Sequence, residues 1–258
     1  MQNESLLDTA WKILRNSKLV WVFTFVNYLL LVFISSGNLV SSPIAILLCC
    51  IYPFALVFLI VTPLAITITM YHGYLGEAIK FKEVLADLKK YALRWIGIFL
   101  LYIPSLVIII LTYRIINTMN FMLYIFIFNL LGGLFGSFFF GYIKLEIIRN
   151  DSGIWDALKH GARVWIKRPL VKTMIVLVFS FLQLIVSLLI VTTQKGISMI
   201  IFSMRYQEYA TLLKPLMPRL LINIFDAVCT PLFLAFIMSA YFGELQMMEP
   251  NETRPNLI

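Results

Sequence analysis

The sequence predicts an all-α polytopic membrane bundle of six transmembrane helices in three related hairpins, each preceded by a cytoplasmic amphipathic helix. Composition, six long apolar runs and an internal repeat predict it. The 258 residues are 61% hydrophobic and 13% charged, with a mean hydropathy of +0.91. A soluble domain carries roughly 25% charged residues, and a disordered chain is poor in aliphatic and aromatic residues. Both of those classes are therefore excluded.

Six apolar runs set the number of predicted spans. Each approaches or exceeds the length of about 20 residues that crosses a hydrocarbon core of about 30 Å. None of the runs alternates apolar and polar residues as a barrel strand does. Because a span in lipid must pair its own backbone N–H and C=O groups, the runs are predicted to be helices. They occupy residues 19–36, 44–71, 95–113, 121–143, 170–193 and 220–242.

Basic residues set the predicted orientation. If both termini lie on one side, that side carries sixteen Lys and Arg residues and the opposite side carries five. The positive-inside rule then places both termini in the cytoplasm and the protein in the cytoplasmic (inner) membrane. Topology and attraction to a membrane surface account for the net charge of +8, so no nucleic-acid partner is expected.

A repeat divides the chain into three units. Trp11, Trp95 and Trp165 recur at spacings of 84 and 70 residues, each in an amphipathic segment before an odd-numbered span. The unit is thus a surface helix, a span, an outer loop and a second span. We predict a single membrane domain, 1–258, with repeat units at about 3–76, 77–150 and 151–245 and a short polar tail at 246–258.

The amphipathic segments are candidate lipid-facing surface helices. In the first, Ser5 and Asp8 have the spacing of a capping box. Near an anionic membrane surface, each Lys or Arg contributes about 1 kcal/mol to binding, and tryptophan favours the same interface. The residues assigned to this role are Trp11, Lys12, Arg15, Arg94, Trp95, Arg163, Trp165 and Lys167.

Small residues recur in the fourth span. Gly133, Ser137 and Gly141 are spaced by four, which lets helix backbones approach closely in lipid. Packing within the bundle and a homodimer contact are both open.

Asp226 lies within the sixth span. An intramembrane carboxylate costs roughly 2.5–3.5 kcal/mol on insertion scales, so it should face the bundle or water and find a partner. Asn223 and Thr230 share its helical face. The carboxylate is expected either to pair with Arg114 or Arg219, or to form a proton or cation site.

Catalytic chemistry is sparse. The two histidines, His72 and His160, lack a metal-ligand spacing, and no nucleotide-binding or nucleophile motif is present. Cys49, Cys50 and Cys229 lie in apolar runs as small hydrophobic residues. No enzyme activity, metal or cofactor is expected.

Three segments carry a resemblance to a known group. They are "LLDTAWKILRNSKLVW" at 6–21, "FKEVLADLKKYALRWIGIFLL" at 81–101 and "GIWDALKHGARVWIKRPL" at 153–170. In these and in its layout, the chain resembles the bacterial six-helix membrane families related to the membrane domain of glycerophosphodiester phosphodiesterases. The resemblance implies a membrane domain of that kind without the phosphodiesterase domain, and it carries over no functional residues.

Two functions from different classes follow. The first is a non-enzymatic membrane protein for membrane organisation, partner assembly or lipid handling, with anionic lipids and a further protein or a second copy as partners. The alternative is a small secondary carrier or permease subunit, with Asp226 and the kinked spans along its path. The prolines predicted to kink these spans are Pro53, Pro63, Pro104 and Pro231. A membrane-embedded enzyme ranks third.

Overall fold

In the computed structural model, nearly all of the described residues are helical. The backbone is described for 5–36, 42–116, 121–202 and 207–248, and the side chains chiefly for 5–31, 60–104, 130–186 and 220–248. No strand occurs in these ranges, so the all-α prediction is confirmed for them. In chain order the helices are α1 (Leu6–Asn16), α2 (Lys18–Ser36), α3 (Ser42–Leu75), α4 (Phe81–Ile116), α5 (Phe121–Gly136), a π-helical segment (Ser137–Ile143), α6 (Lys144–Asn150), α7 (Ile154–Lys167), α8 (Pro169–Phe202) and α9 (Gln207–Met248).

Three helical segments in the described part of the chain are long and apolar enough to cross a membrane. They are Leu130–Asn150, Pro169–Val186 and Leu220–Met248, and Lys18–Leu31 is a shorter apolar helix. The predicted spans 44–71 and 95–113 fall within α3 and α4, where many side chains lie outside the described part.

Helix α1 begins at the predicted capping box. The Asp8 amide donates to Ser5 Oγ at 3.1 Å, and the Ser5 amide donates to Asp8 Oδ2 at 3.3 Å. These bonds satisfy backbone donors that no helical carbonyl reaches, and the prediction is confirmed. The helix ends at Asn16, and the Oγ of its C-cap residue Ser17 donates to the Thr69 carbonyl of α3 at 3.1 Å. That bond fixes α1 against the end of α3.

The break between surface helix and span differs among the three predicted units. Ser17 separates α1 from α2, and Arg168, with φ −133°, separates α7 from α8. Arg168 precedes Pro169, and a residue before proline is sterically disfavoured in the helical region. Between Arg94 and Trp95 no such residue occurs, so surface segment and span form the single helix α4.

The predicted small-residue positions contact neighbouring helices of the same chain. A Cβ atom at Gly133 would lie 2.7 Å from Val176 Cγ1 of α8, and one at Gly141 would lie 2.7 Å from Ile237 Cγ2 of α9. Ser137 lies between them in the sequence, is fully buried, and is the first residue of the π-helical segment. The close approach of Val176 and Ile237 to these glycines favours packing within the bundle.

The outer part of the third unit is helical where the structure describes it. The sequence predicts that the segment 194–219 lies in the outer membrane interface as a helix. Helix α8 continues to Phe202 and α9 begins at Gln207, so the described parts of this segment extend the two long helices.

The core lies where the ends of α1, α3, α6, α7 and α9 meet the beginning of α4. We call the region covered by α1 and α7 the capped end. Its buried residues include Ile13 of α1, Ile68 of α3, Trp95 of α4 and Tyr241 of α9, each at most 2% exposed. In contrast, α8 exposes Val178 and several other apolar side chains beyond this core, as expected for a surface that faces lipid.

The glycine pair in α5 gives a matched test of this packing. Gly133→Ala should destabilise the protein relative to Gly132→Ala, because a Cβ atom at Gly132 meets no atom within 4 Å. Both changes gain the same helix propensity, about 1 kcal/mol, so their difference isolates the contact with Val176. We expect a difference of about 1–3 kcal/mol in unfolding free energy, measured on the purified protein.

Val176→Ala should remove that difference by making room for the new methyl group. Equal stability of the two single variants would contradict the close α5–α8 contact.

Candidate functional site

Four charged side chains are buried at the capped end. Among the residues whose side chains the structure describes, Lys144, Glu146, Lys172 and Glu244 are the charged groups that are at most 3% exposed. Burial of a charge costs several kcal/mol unless other polar groups compensate it, so each must be satisfied locally. Their contacts define the candidate site.

Lys172 of α8 connects three helices. Its Nζ lies 2.9 Å from Glu244 Oε1 and 3.0 Å from Oε2, both on α9. The same Nζ donates to the Val164 carbonyl at 3.4 Å and to the Trp165 carbonyl, in the last turns of α7. A cation at a helix C-terminus also complements the helix dipole. Lys172 therefore joins the end of α7 to the end of α9.

Glu146 of α6 forms a second centre. His160 Nδ1 of α7 lies 2.8 Å from its Oε1, and Asn150 Nδ2 donates to its Oε2 at 2.8 Å. The Tyr241 hydroxyl of α9 donates to Oε1 as well. These contacts hold the middle of α7 against α6 and α9.

Two tyrosines connect the centres. Tyr142 donates to Glu244 Oε2 at 3.2 Å, as Tyr241 does to Glu146. Their rings meet edge to face, with centroids 5.2 Å apart. The two carboxylates thus belong to one buried cluster with aromatic walls.

Lys144 occupies the α3 side of the cluster. Its Nζ donates to the Pro63 carbonyl at 2.8 Å and lies 4.8 Å from the centre of the Trp95 ring. The indole N–H of Trp95, which belongs to α4, donates to the Ile60 carbonyl of α3. The ring therefore shields the ammonium group from solvent and ties α4 to α3.

The predicted lipid-facing residues differ in their exposure. The structure exposes Trp11, at 66%, and buries Trp95, at 2%, so Trp95 does not face lipid, contrary to the prediction. The reason is its position in α4, which enters the bundle without a break. Trp165 is half-buried and packs against Tyr142, with ring centroids 5.0 Å apart. Four of the predicted basic residues are exposed, as Trp11 is: Lys12, Arg15, Arg163 and Lys167.

Arg94 takes part in a local ion pair. Its Nη1 lies 2.5 Å from Asp151 Oδ1, and Lys90 Nζ lies 3.1 Å from Oδ2. Asp151 follows α6 with a left-handed φ of 49°. The two cations thus fix the turn that leads from α6 to α7.

The polar residues that the sequence predicts within the sixth span lie elsewhere in the bundle. Gln183 Nε2 of α8 donates to Asp226 Oδ1 at 3.2 Å, and the Thr230 and Tyr28 hydroxyl oxygens are 2.7 Å apart. Asn223 is half-buried on the same helix. The predicted partners Arg114 and Arg219 lie outside the residues whose side chains are described.

The buried cluster was missed by sequence reasoning because charges near span ends are ordinarily read as markers of topology. Lys172 nevertheless lies inside the apolar run 170–193, and an intramembrane charge is a recognised indicator of a specific site. The acidic partners Glu146 and Glu244 are distant in sequence from His160 and Lys172, so no local motif links them. No group of three or more His, Cys, Asp or Glu residues suited to a metal occurs in the described part of the chain.

The Lys172–Glu244 pair makes a strong prediction for stability. Glu244→Gln should lower the free energy of unfolding by about 3–5 kcal/mol, because it leaves a buried ammonium group opposite a neutral amide. The double variant Lys172→Met/Glu244→Leu should lose less, since no uncompensated charge remains. Thermal unfolding of the solubilised protein measures both. A double variant less stable than Glu244→Gln would contradict this account, and exposed Lys89→Gln serves as the control.

The Asp151 turn makes a prediction about pH. The Arg94 guanidinium and Lys90 ammonium hold the pKa of the Asp151 carboxyl below its usual value. A lowered pKa in the folded state stabilises the protein above the ordinary value of about 3.9, and that contribution disappears as the pH falls through the folded pKa. Asp151→Asn should therefore lower Tm at pH 7 and have progressively less effect towards pH 3.

Asparagine isolates the charge in this experiment because it also tolerates the left-handed conformation. Asp151→Ala is the backbone control and should lower Tm across the whole range. A Tm difference between parent and Asp151→Asn that did not change with pH would contradict the ion-pair explanation.

Comparisons of this chain with protein-family models, with curated proteins and with solved structures find no match. The assignment of a function therefore depends on the residues and their geometry.

Proposed function

We propose that this chain is a non-enzymatic integral membrane protein of the cytoplasmic membrane that binds anionic lipid through helices lying in the membrane surface. Its role is membrane organisation, lipid handling or the assembly of a partner at that surface. One observation carries the proposal: α1 and α7 each present a packed face, an exposed apolar face and a basic face.

Helix α7 has all three faces. Small and branched side chains face the bundle, while Trp155 and Ile166 are 66% and 71% exposed. Such an exposed pair beside basic residues suits the boundary between headgroups and acyl chains. The buried residues are Ala157, Gly161 and Val164, and the exposed basic residues are Lys159, Arg163 and Lys167.

Helix α1 repeats the arrangement. Its buried residues are Ala10, Ile13 and Leu14, and its exposed apolar residues are Leu7 and Trp11, at 63% and 66%. The exposed basic residues Lys12 and Arg15 follow on the remaining face. Two helices at the capped end therefore offer the same combination of tryptophan and positive charge to a membrane surface.

The buried cluster supports the proposal because it fixes the orientation of α7. His160 and the carbonyls of the last turns of α7 are held by Glu146 and Lys172 from the interior. A surface helix held at two points presents its tryptophan and basic residues without further ordering, which lowers the entropic cost of binding.

The proposal includes the predicted topology of six spans in three hairpins with both termini in the cytoplasm. The asymmetry of sixteen to five basic residues supports the orientation. The breaks between α3 and α4 and between α6 and α7 coincide with the predicted boundaries between the three units. Membership of the six-helix families that the sequence resembles belongs to the same proposal.

A small carrier is the second candidate function. A cavity of about 240 Å³ between α5, α8 and α9 favours it, because the cavity adjoins the Gln183 side chain that contacts Asp226. Binding sites of carriers lie near the middle of the membrane between helices.

Removing the basic face of α7 tests the lipid-binding proposal. The variant Lys159→Gln/Arg163→Gln/Lys167→Gln should retain far less phosphatidylglycerol than the parent when each is extracted gently from mixed phosphatidylglycerol and phosphatidylethanolamine membranes. At about 1 kcal/mol per basic residue, the preference for anionic lipid should fall on the order of a hundredfold. Native mass spectrometry of the full chain counts the retained lipid.

The matched control is Lys195→Gln/Arg205→Gln/Lys214→Gln, which removes the same charge from the segment predicted to lie outside. It should retain phosphatidylglycerol like the parent, and added salt should release lipid from the parent. Equal loss in the two triple variants would contradict a lipid surface on α7.

A further inference from the structure

A cavity of about 240 Å³ lies within the bundle, apart from the buried cluster at the capped end. Three helices form it: α5 contributes glycines, and α8 and α9 each contribute residues spaced by three and four, which is one helical face. Its lining residues are Gly132, Gly133, Val176, Phe179, Ser180, Gln183, Cys229, Thr230 and Phe233.

The wall of the cavity is divided into an apolar and a polar part. Phe179 and Phe233 meet edge to face at the apolar part, with ring centroids 5.2 Å apart. Ser180, Gln183 and Thr230 provide hydroxyl and amide groups at the other part. Gln183 already donates to Asp226, and Thr230 already contacts the Tyr28 hydroxyl. The Gln183 amide and the two hydroxyl groups can accept further hydrogen bonds, which favours a ligand with a polar donor group.

The Asp226 carboxyl group lies next to the polar part of the cavity wall. It lies three and four residues before Cys229 and Thr230, so it shares the α9 face that lines the cavity. Its Oδ1 accepts from Gln183 Nε2 at 3.2 Å, and Gln183 itself lines the cavity. This carboxylate disfavours an anionic ligand.

We propose that this cavity binds a small organic ammonium ion, with its charged group towards Asp226 and its apolar part against Phe179 and Phe233. Carboxylate, hydroxyl and amide oxygens accept hydrogen bonds from an ammonium group, and aromatic walls favour cationic ligands. The volume of about 240 Å³ exceeds the roughly 150 Å³ of a cavity that binds benzene, so it accommodates a single-ring amine. The site is separate from the lipid-binding surface and does not depend on it.

Gly132 makes the cavity accessible to a filling mutation. A Cβ atom there meets no atom within 4 Å, whereas one at Gly133 would lie 2.7 Å from Val176. Gly132→Leu should therefore extend into the cavity without displacing the α5–α8 contact.

The direct test is calorimetric titration of the full chain in nanodiscs with benzylammonium. The parent should bind it saturably, and the neutral benzyl alcohol at least tenfold more weakly. Asp226→Asn should weaken benzylammonium binding at least tenfold, and Gly132→Leu should abolish it. Asp156→Asn, which removes the same charge from the exposed face of α7, is the control and should bind like the parent.

Cys229 provides a second, native reporter because it lines the cavity. In a Cys49→Ala/Cys50→Ala background, benzylammonium should slow modification of Cys229 by a small methanethiosulfonate reagent. Gly132→Leu should slow it without any amine.

Three outcomes would overturn the proposal. One is equal benzylammonium binding by the parent and well-folded Asp226→Asn, as expected if Arg114 or Arg219 already neutralises the carboxylate. The second is equal binding of benzylammonium and benzyl alcohol by the parent, a comparison that does not require any variant to fold. The third is benzylammonium binding by Gly132→Leu equal to that of the parent. Because Asp226→Asn should keep its anionic lipid, failure here is distinguishable from failure of the lipid-binding role.

Discussion

The ion pair between Lys172 and Glu244 is the interaction on which the capped end depends. An ammonium group with no exposed surface is tolerated only if its charge and its protons are all compensated. Glu244 supplies the charge, and the carbonyls of Val164 and Trp165 accept the remaining hydrogen bonds. The end of α7, the beginning of α8 and the end of α9 therefore have one compatible arrangement.

Glu146 extends the same constraint along α7. With His160 on one side and Tyr241 on the other, it fixes the middle of the helix as Lys172 fixes its end. A helix held at two points cannot rotate about its axis. Trp155 and the basic residues of α7 consequently face outward together, and the proposed lipid surface is a result of charges buried beneath it.

The bundle uses its glycines in two opposite ways. Gly133 removes a side chain so that α5 can approach Val176 of α8, and Gly141 does the same for Ile237 of α9. Gly132, one residue away from Gly133, borders open space and the cavity. Tight packing and a ligand-sized space therefore coexist at neighbouring positions, because adjacent residues on a helix point in different directions.

The sequence by itself determined the membrane class, the helical structure and the capping box of α1, because composition, apolar runs and local spacing control these properties. It did not determine burial. Tyr-x-Gly-Glu occurs at 74–77 and at 241–244, yet Glu77 is exposed beyond the end of α3 and Glu244 is buried within α9. Trp95 likewise follows the pattern of Trp11 but lies inside. Only the tertiary structure decided these cases, because burial depends on which distant residue lies opposite a side chain, and for Glu244 that residue is Lys172.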